Sequence, residues 1–447
     1  MTITQEDKNK INYFGKIADG EIEKSFGILD IDRNRHFYLL GKTGMGKSTM
    51  MQNMCLQDIY NGKGVCFVDP HGDSVEYILD KLPKNRQQDV IYFNPADIDY
   101  PFGLNVLELE RDEQNFLVVS GLMSIFKRIW SGMWSSRMEY ILNNTLLALL
   151  EQPGSTLLSV IKMLSDDNYT NEVVARTKNP LVRNFWVKEY AGFHDKYRQE
   201  AVAPILNKIG QFFSSEVIRN ILGQETSSFS FRDVIDNKKI LLVNLSKGRL
   251  GEDNSNLLGS LIVNKIQLAA LGRADIKASQ RSNFCLYVDE FQNFTTDSFA
   301  SILSEARKYG LNLTLAHQYL HQLVESGNEN VKNAIFGNVG SMAIFQLGSP
   351  DARELALEFD PIISKQDLVN LDKAEIVTKL SIFGRTSQPF FARTIAPLFD
   401  NFGGKRDYFI KLSRSQYSRS RQVVDKQITQ YLNGGKAQGQ STARRKK

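Results

Sequence analysis

No apolar run in the chain is long enough to span a bilayer. Its greasiest stretch, "FLVVSGLMSIFKRIW", meets Lys127 and Arg128 before the roughly 18 to 20 residues a membrane helix needs. The opening "MTITQEDKNK" lacks the basic-then-apolar plan of a signal peptide. The expectation is a cytoplasmic protein with no membrane insertion of its own, with docking at the inner face of the cell membrane left open. Cysteine is scarce: three occur, none with a C-x-x-C partner, which argues against a disulfide framework or a zinc ribbon. Cys66 and Cys285 fall in strand-like runs and Cys55 in a helix-like one, so they read as buried, inert thiols. No internal repeat is found. Acidic charge is scarce at one end only. From Asn401 onward there are twelve Lys/Arg against two Asp/Glu, whereas residues 1–400 carry 43 against 48. The basicity belongs to the tail.

What is present fits a folded protein of two or three modules: 447 residues, 42% apolar and 23% charged. "FGILDI" suggests one strand before the turn "DRNRH". "HFYLL" then runs into a glycine turn followed by "STMMQNMCLQDIY" at helical spacing. "GVCFVDPHGD", "SVEYILDKL" and "DVIYFNP" continue the alternation of wholly apolar strands with helices, the pattern of a parallel sheet covered on both faces. Between about Glu110 and Ser230 apolar residues recur at i, i+3, i+4 and strand signals are few, which predicts a helical insertion. Strands resume with "KKILLVNLS", "FCLYVDE", "LNLTLAHQ", "SMAIFQLG" and "AEIVTKLSIFG". The end, "NGGKAQGQSTARRKK", has the composition of a disordered, basic tail.

The glycine turn fits the phosphate-loop pattern G-x-x-x-x-G-K-S, from Gly41 through Lys42, Thr43, Gly44, Met45 and Gly46 to Lys47, Ser48 and Thr49. Glycines let successive N–H groups turn into one concavity, and the following helix adds its unpaired N–H groups and dipole. Lys47 is expected on the β- and γ-phosphates, and Ser48 on Mg²⁺. Hydrolysis needs an apolar strand ending in acid, which "FCLYVDEFQNF" supplies: Asp289 for Mg²⁺ and Glu290 to polarise water. The Asp-Glu pair and the absence of an Asn-Lys-x-Asp string favour ATP over GTP. Gln318, at the end of "LNLTLAHQ", is placed to touch the γ-phosphate or to be a plain polar strand end. His317 and His321 lack a third ligand and read as ordinary. Asp69 and His71 position water, line a channel, or form a turn. Lys47 and Asp289 lie 242 positions apart, room for the insertion.

Together "GKTGMGKST", "VDPHGD", "VNLSKGRLGE", "LYVDEFQNF", "SEARKYGLNLTLAHQ" and "FQLGSPDARELALEF" resemble the HerA-FtsK superfamily of ring ATPases that pump DNA. Within it they look most like the TraG/TraD-like coupling ATPases of type IV secretion and conjugation. The resemblance runs from about Phe26 to Leu398. It implies an α/β fold: a RecA-like P-loop NTPase core with a mostly parallel sheet, in two halves, 36–110 and 231–400. An all-α insertion is expected over 111–230, an N-terminal segment with one strand over 1–35, and a disordered basic tail over 401–447. It further implies ATP and Mg²⁺ as cofactors, a homohexamer with ATP at subunit interfaces, and DNA in the channel, single- or double-stranded. Relaxase or secretion-system membrane components are the other implied partners. In such a ring a neighbour's arginine completes the site; Arg307, Arg385 and Arg249 are candidates, with Arg307 favoured. Two features depart from relatives: there are no leading transmembrane helices, and about thirty-five residues leave no room for an N-terminal barrel.

DNA binding rests mainly on that resemblance. In the tail, Lys/Arg of "KRDYFIKLSRSQYSRSRQ" are candidates to neutralise phosphates, and Tyr408, Phe409 and Tyr417 to stack on bases. Lys247 and Arg249 are the candidates to reach into a channel. The leading expectation is an ATP-driven DNA translocase. The alternatives are a protein-secretion or pilus-assembly ATPase of the same superfamily, or a nucleotide-gated docking platform without motor activity.

Overall fold

A computed structural model of the chain describes residues 11–19, 22–110, 115–325 and 329–433. Its strands are β1 (Ile11–Asp19), β2 (Ile22–Leu29), β3 (Phe37–Leu40), β4 (Gly64–Asp69), β5 (Val90–Phe93), β6 (Ile240–Asn244), β7 (Phe284–Val288), β8 (Leu311–His317), β9 (Ser341–Ile344), β10 (Glu375–Lys379), β11 (Ser381–Ile382), β12 (Arg385–Thr386) and β13 (Phe390–Thr394). Among the described residues they make an 11-stranded sheet in the order β2-β1-β13-β10-β9-β3-β8-β7-β4-β6-β5, and a small β11-β12 ribbon. The block from β9 to β5 is parallel throughout. On the other side β10, β13, β1 and β2 extend it antiparallel.

Every residue of β3, β4, β6, β7 and β8 is buried. That is why β3 and β7, and β4 and β6 up to their last residues, read as unbroken apolar runs rather than as alternations; β8 is buried as well but carries Asn312, Thr314 and His317. Because they are parallel, their carboxyl ends share one edge, where open sheets of this kind bind ligands. The helices α1 (Lys47–Tyr60), α2 (Asp73–Asp80), α3 (Asn115–Ile129) and α4 (Glu252–Leu271) belong to the same unit. Met50, Met54 and Ile59 of α1 share a core with Phe37, Phe67, Leu242 and Tyr287 of the strands, while α3 packs on α4.

One polar knot sits inside this core. Asp58 of α1 is fully buried and accepts from Arg33 Nη1 and the Tyr287 hydroxyl, both at 2.5 Å, and from Asn12 Nδ2 and Lys63 Nζ, both at 3.0 Å. Four chain segments thereby share one carboxylate.

The chain divides into two compact units. One holds the residues up to Asn94, Glu110–Trp134 and Phe229–Ser413; the other holds Pro95–Leu109, Ser135–Ser228 and the chain from Arg414 on. The second unit is helical, with Ser136–Leu150, Leu157–Ser165, Asp195–Ser214, Glu216–Leu222 and Arg421–Leu432 among its helices. Ser135 caps the first and Thr156 closes a capping box on the second, as Ser and Thr do ahead of an apolar period.

Three sequence expectations need correction. The N-terminal segment has two strands, not one. β1, "INYFGKIAD", mixes polar residues with glycine and is a strand because β2 and β13 pair with it on either side. The stretch Asn115–Ile129, assigned to the insertion, belongs to the sheet unit, since its apolar face is buried on α4; residues 95–109 lie in the helical unit instead. The tail over 401–433 is not disordered. Helices Arg406–Tyr417 and Arg421–Leu432 bury Phe409, Val424 and Ile428 beneath their charged faces; the final "GGKAQGQSTARRKK" lies outside the described residues.

Candidate functional site

The glycine turn joins β3 to α1 at the carboxyl edge of the sheet. Gly46, the residue before α1, has φ 117°, a left-handed conformation that a side chain would strain. Met50 N donates to Gly46 O at 3.0 Å, the first bond of the helix. The N–H groups of Lys47, Ser48 and Thr49 therefore have no partner within the helix, and face an anion site by the logic of helix starts. Lys47 Nζ reaches back to Gly41 O at 2.5 Å and Lys42 O at 3.1 Å. Lys42 N donates to Gln346 O at 2.9 Å, and Met45 O accepts from Ala374 N at 3.0 Å, so the loop is braced by the segments after β9 and before β10. Thr43 and Gly44 are exposed at its tip.

β7 lies one strand away from β3, with β8 between them. That order carries Asp289, at the end of β7, to Ser48: Oγ of Ser48 is 3.3 Å from Oδ2 of Asp289. Asp289 is buried. Burial first, then the charges of Asp69 and Glu290, push its carboxyl up to about 7 against the pull of Lys47. Lys47 is lowered by burial, which Glu290 and Asp289 partly offset. These two shifts describe one place: two acids and a lysine crowded out of water, a site whose charge invites a cation beside Asp289.

Glu290 follows at φ 46°, ψ 48°, uncommon for a residue with a long side chain. Its Oε1 accepts from Gln318 Nε2 at 2.8 Å and its Oε2 from Gln292 Nε2 at 2.8 Å. Gln318 thus joins Glu290 directly. Asp69 ends β4 and caps α2, accepting from His71 N at 2.8 Å, Ser74 N at 2.9 Å and Val75 N at 3.2 Å. It is a buried cap that also lends its charge to Asp289; the His71 side chain is exposed.

Other sequence candidates fall elsewhere. Arg307 precedes β8, at the opposite edge of the sheet, where it lines a polar cavity of ≈ 420 Å³ with Arg35, His36 and Lys379. It cannot serve the phosphate loop of its own chain. Arg385 is exposed on the β11-β12 ribbon. Lys247 is drawn onto the protein, donating to Asn293 Oδ1 at 3.0 Å and Glu252 Oε1 at 2.9 Å, whereas Arg249 is exposed in the short helix Lys247–Leu250. Phe409 is fully buried, which removes it as a base-stacking residue; Tyr408 is half-exposed and donates to Gln87 Oε1 at 2.7 Å. His317 is buried and its Nε2 is hydrogen-bonded to the Tyr38 hydroxyl; burial, aided by the charge of Lys47, lowers its pKa to about 3. His321 is exposed.

Spacing did not single out Gln292, Arg128 or Asn293. The only sequence cue was that "QN" follows the acidic pair after one phenylalanine, and that Lys127 and Arg128 are the charged residues of an apolar helix, in its last turn. Arg128 Nη2 donates to Gln292 O at 2.6 Å. A cavity of ≈ 700 Å³ opens beside the phosphate loop, lined by Lys42, Thr43, Gln318, Tyr319, Asp351 and Glu354 among others.

Among the described residues no helix is long and apolar enough to cross a membrane. No group of three or more His, Cys, Asp or Glu able to hold a metal is found among them either.

Solved structures share this fold. The plasmid coupling protein TrwB in complex with ADP and Mg²⁺ superposes with a TM-score of 0.60 at 14% identity, covering 88% of this chain and 96% of that one. VirB4 of Thermoanaerobacter pseudethanolicus gives 0.59 at 13% identity, covering 86% and 96%. In sequence, the type 4 coupling protein DotL of Legionella pneumophila is 21% identical over 380 residues, 71% of this chain and 48% of DotL. The chain therefore spans about half the length of that curated relative. Residues 28–378 match the family profile described as the type IV secretion-system coupling protein DNA-binding domain. On that match, and with the phosphate loop and acidic strand end already in place, the chain belongs to the type IV secretion-system coupling protein family.

Proposed function

We propose that the protein is an ATPase that moves DNA in conjugation or type IV secretion. The observation that carries this is the approach of Ser48 Oγ to Asp289 Oδ2 across 241 residues of sequence, with Glu290 beside them. A hydroxyl and a carboxylate at that distance fit Mg²⁺, whose remaining ligands are phosphate oxygens and water. When bound, the ion would neutralise charge on the transferring phosphoryl group.

The chain's own residues have separable tasks. Gly41 to Thr49 hold the triphosphate through backbone N–H groups, and Lys47 turns from the Gly41 and Lys42 carbonyls to the β- and γ-phosphates. Glu290 takes a proton from the attacking water, and Gln318 reads the terminal phosphate. Arg307, remote from its own loop, acts on a neighbour's site. The cavity beside Gln318 suits its arrival, because Asp351, Glu354 and the Tyr319 ring all favour a guanidinium. This reading requires an oligomer, a homohexamer by family, with DNA as the polymer in its channel. Relaxase or secretion-system membrane components would be its partners, with docking at the inner membrane face. TrwB, solved with ADP and Mg²⁺, supports nucleotide and metal at this fold's site.

ATP turnover of the purified chain, with and without single- and double-stranded DNA, tests this. Lys47→Ala is expected to lose ATP binding. Glu290→Gln is expected to bind ATP normally and hydrolyse about 10²–10⁴-fold more slowly. Turnover unaffected by DNA would instead favour a protein cargo. Slow turnover unaffected by any polymer would favour a docking platform.

A further inference from the structure

Both carboxylate oxygens of Glu290 are occupied by glutamine amides, at 2.8 Å each. The two amides are not equivalent. Gln318 directly follows β8 and faces the cavity that also touches Lys42 and Thr43 of the phosphate loop, so an arriving phosphate oxygen competes for its N–H. Gln292 lies in the same turn as Glu290, and its backbone is fixed: its carbonyl accepts from Arg128 Nη2 at 2.6 Å and from Thr295 Oγ1 at 3.3 Å. Its side-chain Oε1 is buried with no hydrogen-bond partner in the protein.

We propose that Gln292 is a positioning residue for Glu290, its amide pinning Oε2 so that Oε1, once Gln318 turns to the terminal phosphate, is presented to the attacking water. The proposal rests on the ATPase reading and deepens it. Glu290 needs such a support because its backbone is in the left-handed region, where a non-glycine residue is strained and persists only if neighbours hold it. Arg128 is the outer brace: through the Gln292 carbonyl it ties the turn to α3. With Oε2 pinned, one water hydrogen goes to Glu290 Oε1. The water oxygen's lone pair then forms the bond to the γ-phosphorus. The bridging oxygen leaves with its bonding pair on the diphosphate, and the water's proton passes to Glu290.

The test uses the full chain with Gln292→Leu and Gln292→Met, which keep bulk and remove the amide. ATP turnover, the affinity for a fluorescent ATP analogue and the thermal midpoint are measured for each. The expected result is a kcat lowered about 10²-fold, the scale of a misplaced reacting group, with KM and analogue affinity within about twofold of wild type. In a Glu290→Gln background the same substitutions add no further loss. An unchanged kcat in both variants overturns the proposal, as does a parallel loss of nucleotide affinity, or a loss that persists in full without Glu290. If turnover depends on Glu290 but not on Gln292, only the role of Gln292 falls. If turnover does not depend on Glu290, the assignment of Glu290 as the base falls and takes this role with it.

Discussion

Single residues in this molecule are constrained by what approaches them, and Gly41 is the case that bears on the site. A Cβ built there would lie 2.5 Å from Phe345 Cβ, because the phosphate loop turns directly over the end of β9. Gly41→Ala is expected to destabilise the fold by about 1–3 kcal/mol, the usual range for overpacking, and to weaken ATP binding as the loop shifts; denaturant unfolding with and without nucleotide measures both. At this scale the phosphate loop and the acidic pair were legible, because glycine, lysine and adjoining carboxylates in fixed order have few other uses. Gln292 was not. A glutamine after a strand is common, and only the turn at Glu290 aims it back at the carboxylate.

At the scale of elements, the Asp58 knot joins β1, the segment before β3, α1 and β7. Burial alone would raise the Asp58 carboxyl, but Arg33, Lys63 and the Tyr287 hydroxyl outweigh it and hold it below the usual range. A carboxyl depressed in the fold stabilises at pH above its unfolded value of about 3.9 and loses that contribution as pH falls further. Unfolding free energy is therefore expected to drop steeply below about pH 4, and the Asp58 share of that drop to vanish in Asp58→Asn. That substitution also strands Arg33, at a cost of about 3–5 kcal/mol at neutral pH; urea titrations at pH 7 and pH 3.5 separate the two effects. The C-terminal helix Arg421–Leu432 allows a second test. Ile428 is buried against Gly223, whose added Cβ would lie 3.1 Å from Ile428 Cδ1, so Ile428→Ala is expected to cost the helical unit about 2–5 kcal/mol, read by calorimetry. Composition alone read this stretch as disordered, because its two buried residues, Val424 and Ile428, one turn apart, are hidden among lysines, arginines and glutamines.

At the scale of the whole molecule, the placement of Arg307 and the phosphate loop at opposite edges of one sheet makes the role proposed for Arg307 intermolecular. Arg307→Ala and Lys47→Ala chains, each expected to be nearly inactive alone, should recover part of the ATPase when mixed, since some interfaces then combine an intact loop with an intact arginine. No recovery at any mixing ratio would remove Arg307 from the site. DNA stimulation should fall steeply with salt as phosphate contacts are screened, and Lys247→Ala should reduce that slope only if its ammonium leaves Asn293 and Glu252 for DNA. ATPase rate against salt, for both chains, decides this.

By itself the sequence determined the chemistry available and the order of strands and helices, because apolar periodicity and phosphate-loop composition are local properties of the chain. Tertiary structure alone decided which distant residues meet. Strand order put β8 between β3 and β7, so Gln318 lands on Glu290 and Asp289 on Ser48. It also sent Arg307 to the far edge, paired β1 into the sheet and buried the basic tail's few apolar residues. Those outcomes depend on pairing and burial between segments hundreds of positions apart, and no local pattern encodes such distances.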